Sequence, residues 1–203
     1  MYTTFFKRLF DILIGLIALP FVLLVVIFSA PFIWLTDKGP VFYIAKRVGK
    51  DCKIFSMIKL RSMYVNSPNI LNPDGSTFNG DSDPRVTPIG RFMRKTSLDE
   101  FPQFLNVLKG DMSFIGPRPK FVNPNRDYEH LEGDIKTSFT VKPGVTGYAQ
   151  AYYRNSITND EKLHWDAYYA ENLSFMLDVK IIIKTIKSVL CRENINTEQS
   201  YKK

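Results

Sequence analysis

Residues 96–119 read TSLDEFPQFLNVLKGDMSFIGPRP and place two adjacent carboxylates, Asp99 and Glu100, ahead of an amphipathic segment. Ser97 stands at an N-cap position and Glu100 follows three residues later, which is the spacing of a capping box. Gly110 stands where a helix commonly ends. Between them, apolar residues recur at helical spacing: Phe101, Phe104, Leu105 and Leu108. We therefore predict a helix that carries both acids in its first turn.

Basic residues flank these two acids on both sides. Arg94 precedes them, and Arg118 follows between Pro117 and Pro119, whose fixed φ angles limit the freedom of the backbone. A helix N-terminus also favours bound anions. Two carboxylates bracketed by arginines suit phosphoryl chemistry on a diphosphate. The alternative is that Glu100 only completes a capping box and that GPRP is only a rigid turn.

Several segments, this one included, resemble the small monotopic phosphoglycosyl transferases, the bacterial sugar transferases that start glycan assembly on polyprenyl phosphate. The matching segments are KRLFD (7–11), KGPVFY (38–43), DPRVTPIGRFMRKTSLDEFPQFLNVLKGDMSFIGPRP (83–119), KPGVTGYAQ (142–150) and YYAENLSFMLDVKI (168–181). The resemblance covers nearly the whole chain. It implies an enzyme that moves a phosphosugar from a UDP-sugar to the lipid phosphate and releases UMP.

The resemblance and the chemistry of the residues assign roles within this site. We expect Asp99 to be the nucleophile and Glu100 to hold Mg²⁺, which prefers oxygen ligands. Residues expected to bind substrate phosphate are Arg94, Arg118, Lys59 and Arg61. Residues expected in a nucleotide or sugar pocket are Gly116, Pro117, Pro119, Gly144, Thr146, Gly147 and Gln150. In the glycine-rich turn at 142–147, exposed backbone N–H groups can cradle an oxyanion.

The composition limits the possible partners and mechanisms. The chain of 203 residues has a net charge of +7, which favours anionic partners such as acidic lipids or phosphates. No nucleic-acid-binding motif accompanies this charge, so we expect no nucleic acid partner. Cys52 and Cys191 have no zinc spacing, which fits a reducing compartment. His130 and His164 lie near no convincing nucleophile, which argues against a histidine-based triad.

The N-terminal region predicts a membrane segment. Residues 12–35 contain no charge and are long enough to cross a bilayer. A simple span, with Lys7 and Arg8 retained in the cytosol, would export everything after Asp37, away from nucleotide sugars. Pro20 is the most central proline and can break the helix, although the Ser-Pro pair usual in the family is absent. The resemblance implies a re-entrant helix–break–helix in the bacterial inner membrane.

The resulting fold prediction is an α+β domain that is predominantly α. It divides into a re-entrant membrane segment (1–36), a catalytic domain on the cytosolic face (37–193) and a polar tail (194–203). We expect a β-hairpin from Val41–Tyr43 and Lys53–Phe55. Expected helices begin at Thr87-Pro88, at Thr158 or Asn159, and at Ser174. The last helix carries Lys180, Lys184 and Lys187 on one face and either packs in the core or lies on the bilayer surface.

Two other function classes remain open from the sequence. Asp81-Ser82-Asp83 lies in a loop, residues 67–83, and superficially matches the metal-binding Asp-x-Asp of nucleotide-sugar glycosyltransferases, which release UDP. A non-catalytic membrane-surface module is the second alternative, in which the acids at 99 and 100 merely cap a helix. The sequence identifies neither the sugar, nor the polyprenol, nor the oligomeric state.

Overall fold

The computed structural model describes residues 2–68, 70, 83–154 and 156–190. The helices are α1 Lys7–Asp37, α2 Pro88–Thr96, α3 Gln103–Lys109, α4 Gly133–Ser138, α5 Tyr148–Tyr152, α6 Asn159–Glu171 and α7 Phe175–Leu190. The strands are β1 Phe42–Val48, β2 Ile54–Leu60, β3 Ser113–Ile115, β4 Lys120–Phe121 and β5 Gly144–Thr146. A predominantly helical α+β fold is thereby confirmed.

Helix α1 has 31 residues and continues without interruption through Pro20 and Pro31. The helix break that we predicted at Pro20 is therefore wrong: the helix continues through this residue, since one proline removes only one hydrogen bond of the helix. Re-entry of the segment stays a prediction. Among the described residues α1 is the helix long and apolar enough to cross a membrane, and only 17% of its most apolar stretch is buried. A core helix of a soluble protein would be mostly buried.

Basic side chains near the start of α1 attach it to the rest of the protein. Lys7 Nζ lies 2.7 Å from Asp178 Oδ2 in α7. Arg8 donates to the carbonyl oxygens of Val107 and Leu108 at 2.6 and 2.8 Å, at the end of α3. Carbonyl oxygens in the last turn of a helix lack part of their usual hydrogen bonding, although the Gly110 N–H also donates to the Val107 oxygen at 3.1 Å. The guanidinium adds hydrogen bonds to both oxygens and complements the helix dipole.

Acidic side chains at both ends of α1 complete the attachment. Asp11 Oδ1 accepts hydrogen bonds from Ser113 Oγ at 2.9 Å and from the Phe114 N–H at 2.8 Å. At the other end, both carboxylate oxygens of Asp37 accept from the Arg61 guanidinium at 2.6 Å. The two ends of α1 are therefore held by the same domain.

The predicted hairpin is present, with longer strands than expected. β1 and β2 pair antiparallel from Phe42 opposite Leu60 to Val48 opposite Ile54, and β4 joins β1 on its other side. Asp51, in the connecting turn, has a φ of +53°. A separate pair joins β3 and β5 in parallel. This second pair brings the GPRP segment beside the glycine-rich turn at 142–147.

In the described part of the chain, three clusters of buried apolar side chains form the core. The first contains Ala45, Phe55, Met57, Val107 and Met112, between the hairpin and α3. The second contains Ile115, Ala151, Tyr169 and Ile181. The third contains Ile33, Leu60 and Met93, so part of α1 belongs to it.

Local capping signals at two helices agree with the prediction. Thr87 Oγ1 accepts from the Gly90 N–H at 2.9 Å, with Pro88 in the first turn of α2. Thr158 and Glu161 form a capping box at α6. α7 begins at Phe175, as the position of Ser174 suggested. In α7, Ile181 is buried in the core, whereas Ile183 and Ile186 are exposed. The helix therefore has apolar residues both in the core and on the surface.

Candidate active site

The two acids lie on a 3₁₀ turn, Leu98–Glu100, between α2 and α3. Ser97 has a φ of +58° and ends α2, because its N–H donates to the carbonyl oxygens of Met93 and Arg94. Its side chain forms no capping hydrogen bond, so the predicted capping box is wrong. The predicted end of the following helix at Gly110 is confirmed, with a φ of +98°. The acids therefore occupy a sharp reversal of the chain.

Glu100 is held in the ionised state by two cations. Its Oε1 lies 2.7 Å from Lys59 Nζ and 3.4 Å from Arg118 Nη2. Burial alone raises the pKa of Glu100, but the charges of Arg118 and Lys59 outweigh it and lower the pKa to about 2. The hydrogen bonds that described residues donate to Glu100 both go to Oε1.

Asp99 lies in a different environment, although it is the next residue. It is buried and forms no ion pair with any described residue. Burial raises its pKa, and the charge of Glu100 raises it further, against the opposing charges of Lys59 and Arg94. The pKa values of the two neighbouring carboxyls are thus shifted in opposite directions, an arrangement that permits separate chemical roles.

The structure brings three predicted phosphate-binding cations to these acids. Lys59 lies at the end of β2, opposite Tyr43. Arg94 is half-buried in α2 and donates from Nε to Ser62 Oγ at 3.0 Å. Burial lowers the pKa of Arg94, while the charge of Asp99 opposes this shift. The Arg118 side chain remains 57% exposed, so it can reach a ligand.

Arg61 does not belong to this group, and the predicted role in phosphate binding is replaced by a structural one. Its guanidinium is buried and bonds Asp37, the Pro40 carbonyl oxygen at 2.5 Å and the Ile33 carbonyl oxygen at 3.3 Å. All of these partners lie in or just after α1. Arg61 therefore anchors the end of α1 to the end of β2.

The predicted pocket glycines lie where two backbone segments meet. Gly116 N–H donates to the Thr146 carbonyl oxygen, and Gly144 N–H donates to the Pro117 carbonyl oxygen, each at 2.9 Å. The expected cradle for an oxyanion is therefore wrong for Gly144, whose N–H is already used. A Cβ on Gly147 would lie 2.1 Å from the Gly116 carbonyl oxygen, so close packing of the backbone explains the glycine.

Other members of the predicted pocket surround this junction. Thr146 Oγ1 lies 2.9 Å from Thr185 Oγ1 of α7. Gln150 Oε1 is buried without a hydrogen-bond partner among the described residues. Pro117 lines a small cavity with Arg118, Gly49 and others, whereas Pro119 does not. These residues lie together, and a ligand-binding role for them stays a prediction.

Two residues near the acids were not identified from the sequence. Asn106 is buried in α3 and bonds both the Ile58 N–H, at 3.0 Å, and the Ser56 carbonyl oxygen, at 2.8 Å. It fixes α3 to β2 and so sets Lys59 beside Glu100. Arg47 is buried on β1. The sequence could have indicated this, because alternate residues of a strand share one face and Arg47 stands two positions after Ala45, which is also buried.

The alternative site at Asp81 and Asp83 receives no support. Asp81 lies outside the described residues. Asp83 is fully buried, and its two oxygens accept from Arg85 Nε at 2.9 Å and Nη2 at 2.7 Å. Arg85 lowers the pKa of Asp83. The Asp83 carboxylate is therefore a partner of Arg85 within the fold.

Comparison with known proteins agrees with this geometry. The family model described as bacterial sugar transferase matches residues 2–192. The galactosyl transferase CpsE of Streptococcus agalactiae is 42% identical over 91% of this chain and 42% of its own length. The UDP-N-acetylgalactosamine-undecaprenyl-phosphate N-acetylgalactosaminephosphotransferase of Aeromonas hydrophila is 40% identical over 92% of this chain and 44% of its own length.

A shorter relative matches over most of both chains. The uncharacterized sugar transferase EpsL of Bacillus subtilis is 38% identical over 93% of this chain and 89% of its own length. By contrast, the chain spans less than half the length of the Streptococcus and Aeromonas relatives. The match to the family model nonetheless extends from the first helix to the last. The chain therefore belongs to the bacterial sugar transferase family.

Proposed function

We propose that this protein is a phosphoglycosyl transferase that moves a sugar 1-phosphate from a UDP-sugar to polyprenyl phosphate and releases UMP. The observation that carries the proposal is the pair of unlike carboxyls: Asp99 is buried and forms no ion pair with a described residue, and it lies beside an ionised Glu100. Lys59, Arg94 and Arg118 surround the pair. The names of the Streptococcus and Aeromonas relatives specify different sugars, so the donor sugar is left open.

In the first step, an Asp99 carboxylate oxygen attacks the phosphorus that bears the sugar. The bond from this phosphorus to the bridging oxygen breaks, and UMP leaves with the electron pair. Arg118 and Arg94 would bind phosphate oxygens and offset the charge that develops in the transition state. That no described residue forms an ion pair with Asp99 supports this role, because a carboxylate paired with a cation is a poorer nucleophile.

In the second step, an oxygen of polyprenyl phosphate attacks the same phosphorus. The bond to Asp99 breaks and the carboxylate is regenerated. The lipid phosphate is anionic at neutral pH and needs no general base to activate it. Splitting the transfer lets UMP leave before the bulky lipid must approach.

Glu100 is the residue that would hold Mg²⁺, and its surroundings fit that task. It is ionised at neutral pH, and the hydrogen bonds that it accepts from described residues both go to Oε1. No group of three or more His, Cys, Asp or Glu suited to a metal occurs among the described residues, and magnesium commonly uses one or two carboxylates with substrate phosphates. Bound there, the ion would neutralise diphosphate charge.

We further propose that α1 is embedded in the cytosolic leaflet of the bacterial inner membrane with both ends on the cytosolic side. Support comes from the ion pairs Lys7–Asp178 and Arg61–Asp37, which join the two ends to one domain. Exposed apolar residues of α7 lie next to the apolar surface of α1, because Phe175 stacks on Phe10 of α1 with the ring centroids 5.8 Å apart. A helix lying at the interface presents such a face to lipid.

The decisive experiment omits the lipid acceptor. Purified protein is incubated with a panel of UDP-sugars and Mg²⁺, and the nucleotide product and the protein mass are measured. We expect up to one UMP per active site and one added sugar phosphate on the peptide that contains Asp99. Asp99→Asn should give neither product.

Other results would point to other functions. Release of UDP, not UMP, would identify an ordinary glycosyltransferase. No nucleotide release from any donor, with or without polyprenyl phosphate, would leave a non-catalytic membrane-surface module. UMP formed only when the lipid is present, with no adduct on Asp99, would indicate direct displacement.

A further inference from the structure

Arg47 carries a buried guanidinium beside the proposed active site whose donors are not all used. Its side chain projects from β1, and the residue is only 9% exposed. Nε and Nη1 are buried and have no hydrogen-bond acceptor among the described residues. Buried arginines are normally paired, because an unpaired buried charge costs several kcal/mol. These unused donors therefore require an explanation.

Packing against Phe121 does not supply one. The Arg47 Cζ lies 3.4 Å from the centroid of the Phe121 ring, and the two residues are opposite each other in the β1–β4 pair. A cation–π contact uses the face of the guanidinium, whereas its N–H bonds point outward in the plane. Stacking therefore leaves the donors at the edge of the guanidinium unsatisfied.

The charges near Arg47 also favour a bound anion. Burial lowers the pKa of Arg47 to about 10, the charge of Arg118 lowers it as well, and Glu100 opposes the shift. Arg47 thus remains protonated at neutral pH while another guanidinium repels it. With Lys59 and Arg94, the site gathers four cations around two carboxylates. A bound anion would relieve the repulsion between them.

We propose that Arg47 is a substrate-binding residue whose guanidinium edge takes up a phosphate group in the active site. The ligand class rests on the function proposed above, which supplies two sources: the diphosphate of the nucleotide sugar and the phosphate of the lipid. A guanidinium presents a planar fork that matches two phosphate oxygens. Phe121, which covers the face of the guanidinium and not its edge, is 63% exposed and lies on the two-residue strand β4.

The test compares Arg47→Gln with Arg47→Lys and two control variants. Lys46→Gln removes the neighbouring charge, which bonds Ser56 Oγ at 3.0 Å on the exposed side of the hairpin. Phe121→Leu removes the stacked ring and keeps the guanidinium. Each variant is first checked for folding by its melting temperature. Binding of UDP and of pyrophosphate is then measured by calorimetry without turnover, and KM is measured for donor and for polyprenyl phosphate.

We expect Arg47→Gln to weaken the binding of one phosphate ligand, or to raise its KM, at least tenfold. Arg47→Lys keeps the charge without the fork and should recover part of the loss. Lys46→Gln and Phe121→Leu should stay within about twofold of the wild type. A donor contact weakens UDP and pyrophosphate binding, whereas a lipid contact raises only the KM for polyprenyl phosphate.

Equal losses in Arg47→Gln and Phe121→Leu would overturn the proposal, since Arg47 would then only pack against the ring. Unchanged binding and KM values in a folded Arg47→Gln would overturn it too. If Arg47→Gln fails to fold, wild-type binding and KM values in Arg47→Lys would likewise overturn the proposal. A wild type that binds UDP and pyrophosphate but turns over no UDP-sugar would contradict the proposed function and leave the binding comparison valid.

Discussion

At the scale of single residues, the central feature is that Asp99 and Glu100 are neighbours with opposite environments. Successive side chains on a 3₁₀ turn diverge by about 120°, so adjacent residues meet different surroundings. Glu100 points to Lys59 and Arg118, which keep it ionised, while Asp99 is buried and has no such partner in the described part of the chain. One short turn thus holds an ionised carboxylate beside a buried carboxyl, to which we have assigned separate proposed roles.

Glu100→Gln tests the first of these roles. An amide cannot replace a charged Mg²⁺ ligand, so we expect UMP release to fall at least 100-fold at saturating Mg²⁺. Lys59 would lose its ion-pair partner, and folding should weaken by about 1–3 kcal/mol. Glu100→Asp keeps the charge and is the matched control. A folded Glu100→Gln protein that retains most of its activity would assign Glu100 a structural role.

At the scale of elements, the glycines of the junction between β3 and β5 have a packing role. A Cβ on Gly144 would lie 2.1 Å from the Gly116 nitrogen and 2.3 Å from the Thr146 carbonyl oxygen. Both contacts are with backbone, which cannot move aside as a flexible side chain can. This junction fixes the path of the chain into Arg118, so packing there controls the position of a predicted phosphate-binding residue.

Gly144→Ala should therefore destabilise the protein by about 3 kcal/mol or more, with loss of UMP release. Gly133→Ala is the matched control. Gly133 has a φ of +59° but nothing within 4 Å of an added Cβ, so only a backbone cost of about 1–2 kcal/mol applies. Melting temperatures in detergent give the comparison. Similar values for the two variants would show that the junction tolerates a methyl group.

The attachment of α1 to β3 gives a second prediction at this scale. Asp11 accepts from Ser113 Oγ and from the Phe114 N–H, and it is buried. Asp11→Ala leaves both donors unsatisfied and should cost about 2–4 kcal/mol. Asp11→Asn retains an acceptor oxygen and should cost less, as should Ser113→Ala, which removes one donor. Equal melting temperatures for all three variants would contradict this attachment.

Sequence patterns predicted the elements whose signals are local. Thr87 and Gly110 bound their helices as expected, because a cap depends on neighbours within one turn. The capping box predicted at Ser97 was wrong, since a left-handed conformation at a non-glycine residue depends on the chain reversal around it. The surroundings of Arg61 and Arg47 could not be predicted from the sequence, because their partners are distant along the chain. The acids at 99 and 100 could be proposed from the sequence because they are adjacent residues, and their roles stay predictions.

At the scale of the whole molecule, the position of α1 limits how the protein can meet a membrane. A straight helix of 31 residues is about 46 Å long, more than the hydrocarbon thickness of a bilayer. Yet Lys7 near its start and Asp37 at its end both pair with charges of the same domain. Ile33 also packs with Leu60 and Met93 in the core. A full span would have to separate these partners across the bilayer.

Single cysteines at Thr3 and Thr36 test this topology, in a background in which Cys52 and Cys191 are replaced by serine. If both ends of α1 lie on the cytosolic side, a membrane-impermeant maleimide should label both positions in inside-out vesicles and neither in intact cells. A cysteine at the exposed Lys95, on α2, serves as the cytosolic control and should behave identically. Labelling of Thr3→Cys or Thr36→Cys from outside intact cells, while Lys95→Cys stays protected, would establish a span. In that case the ion pairs at the two ends of α1 could not both form in the membrane-bound protein, because they join it to one domain on one side.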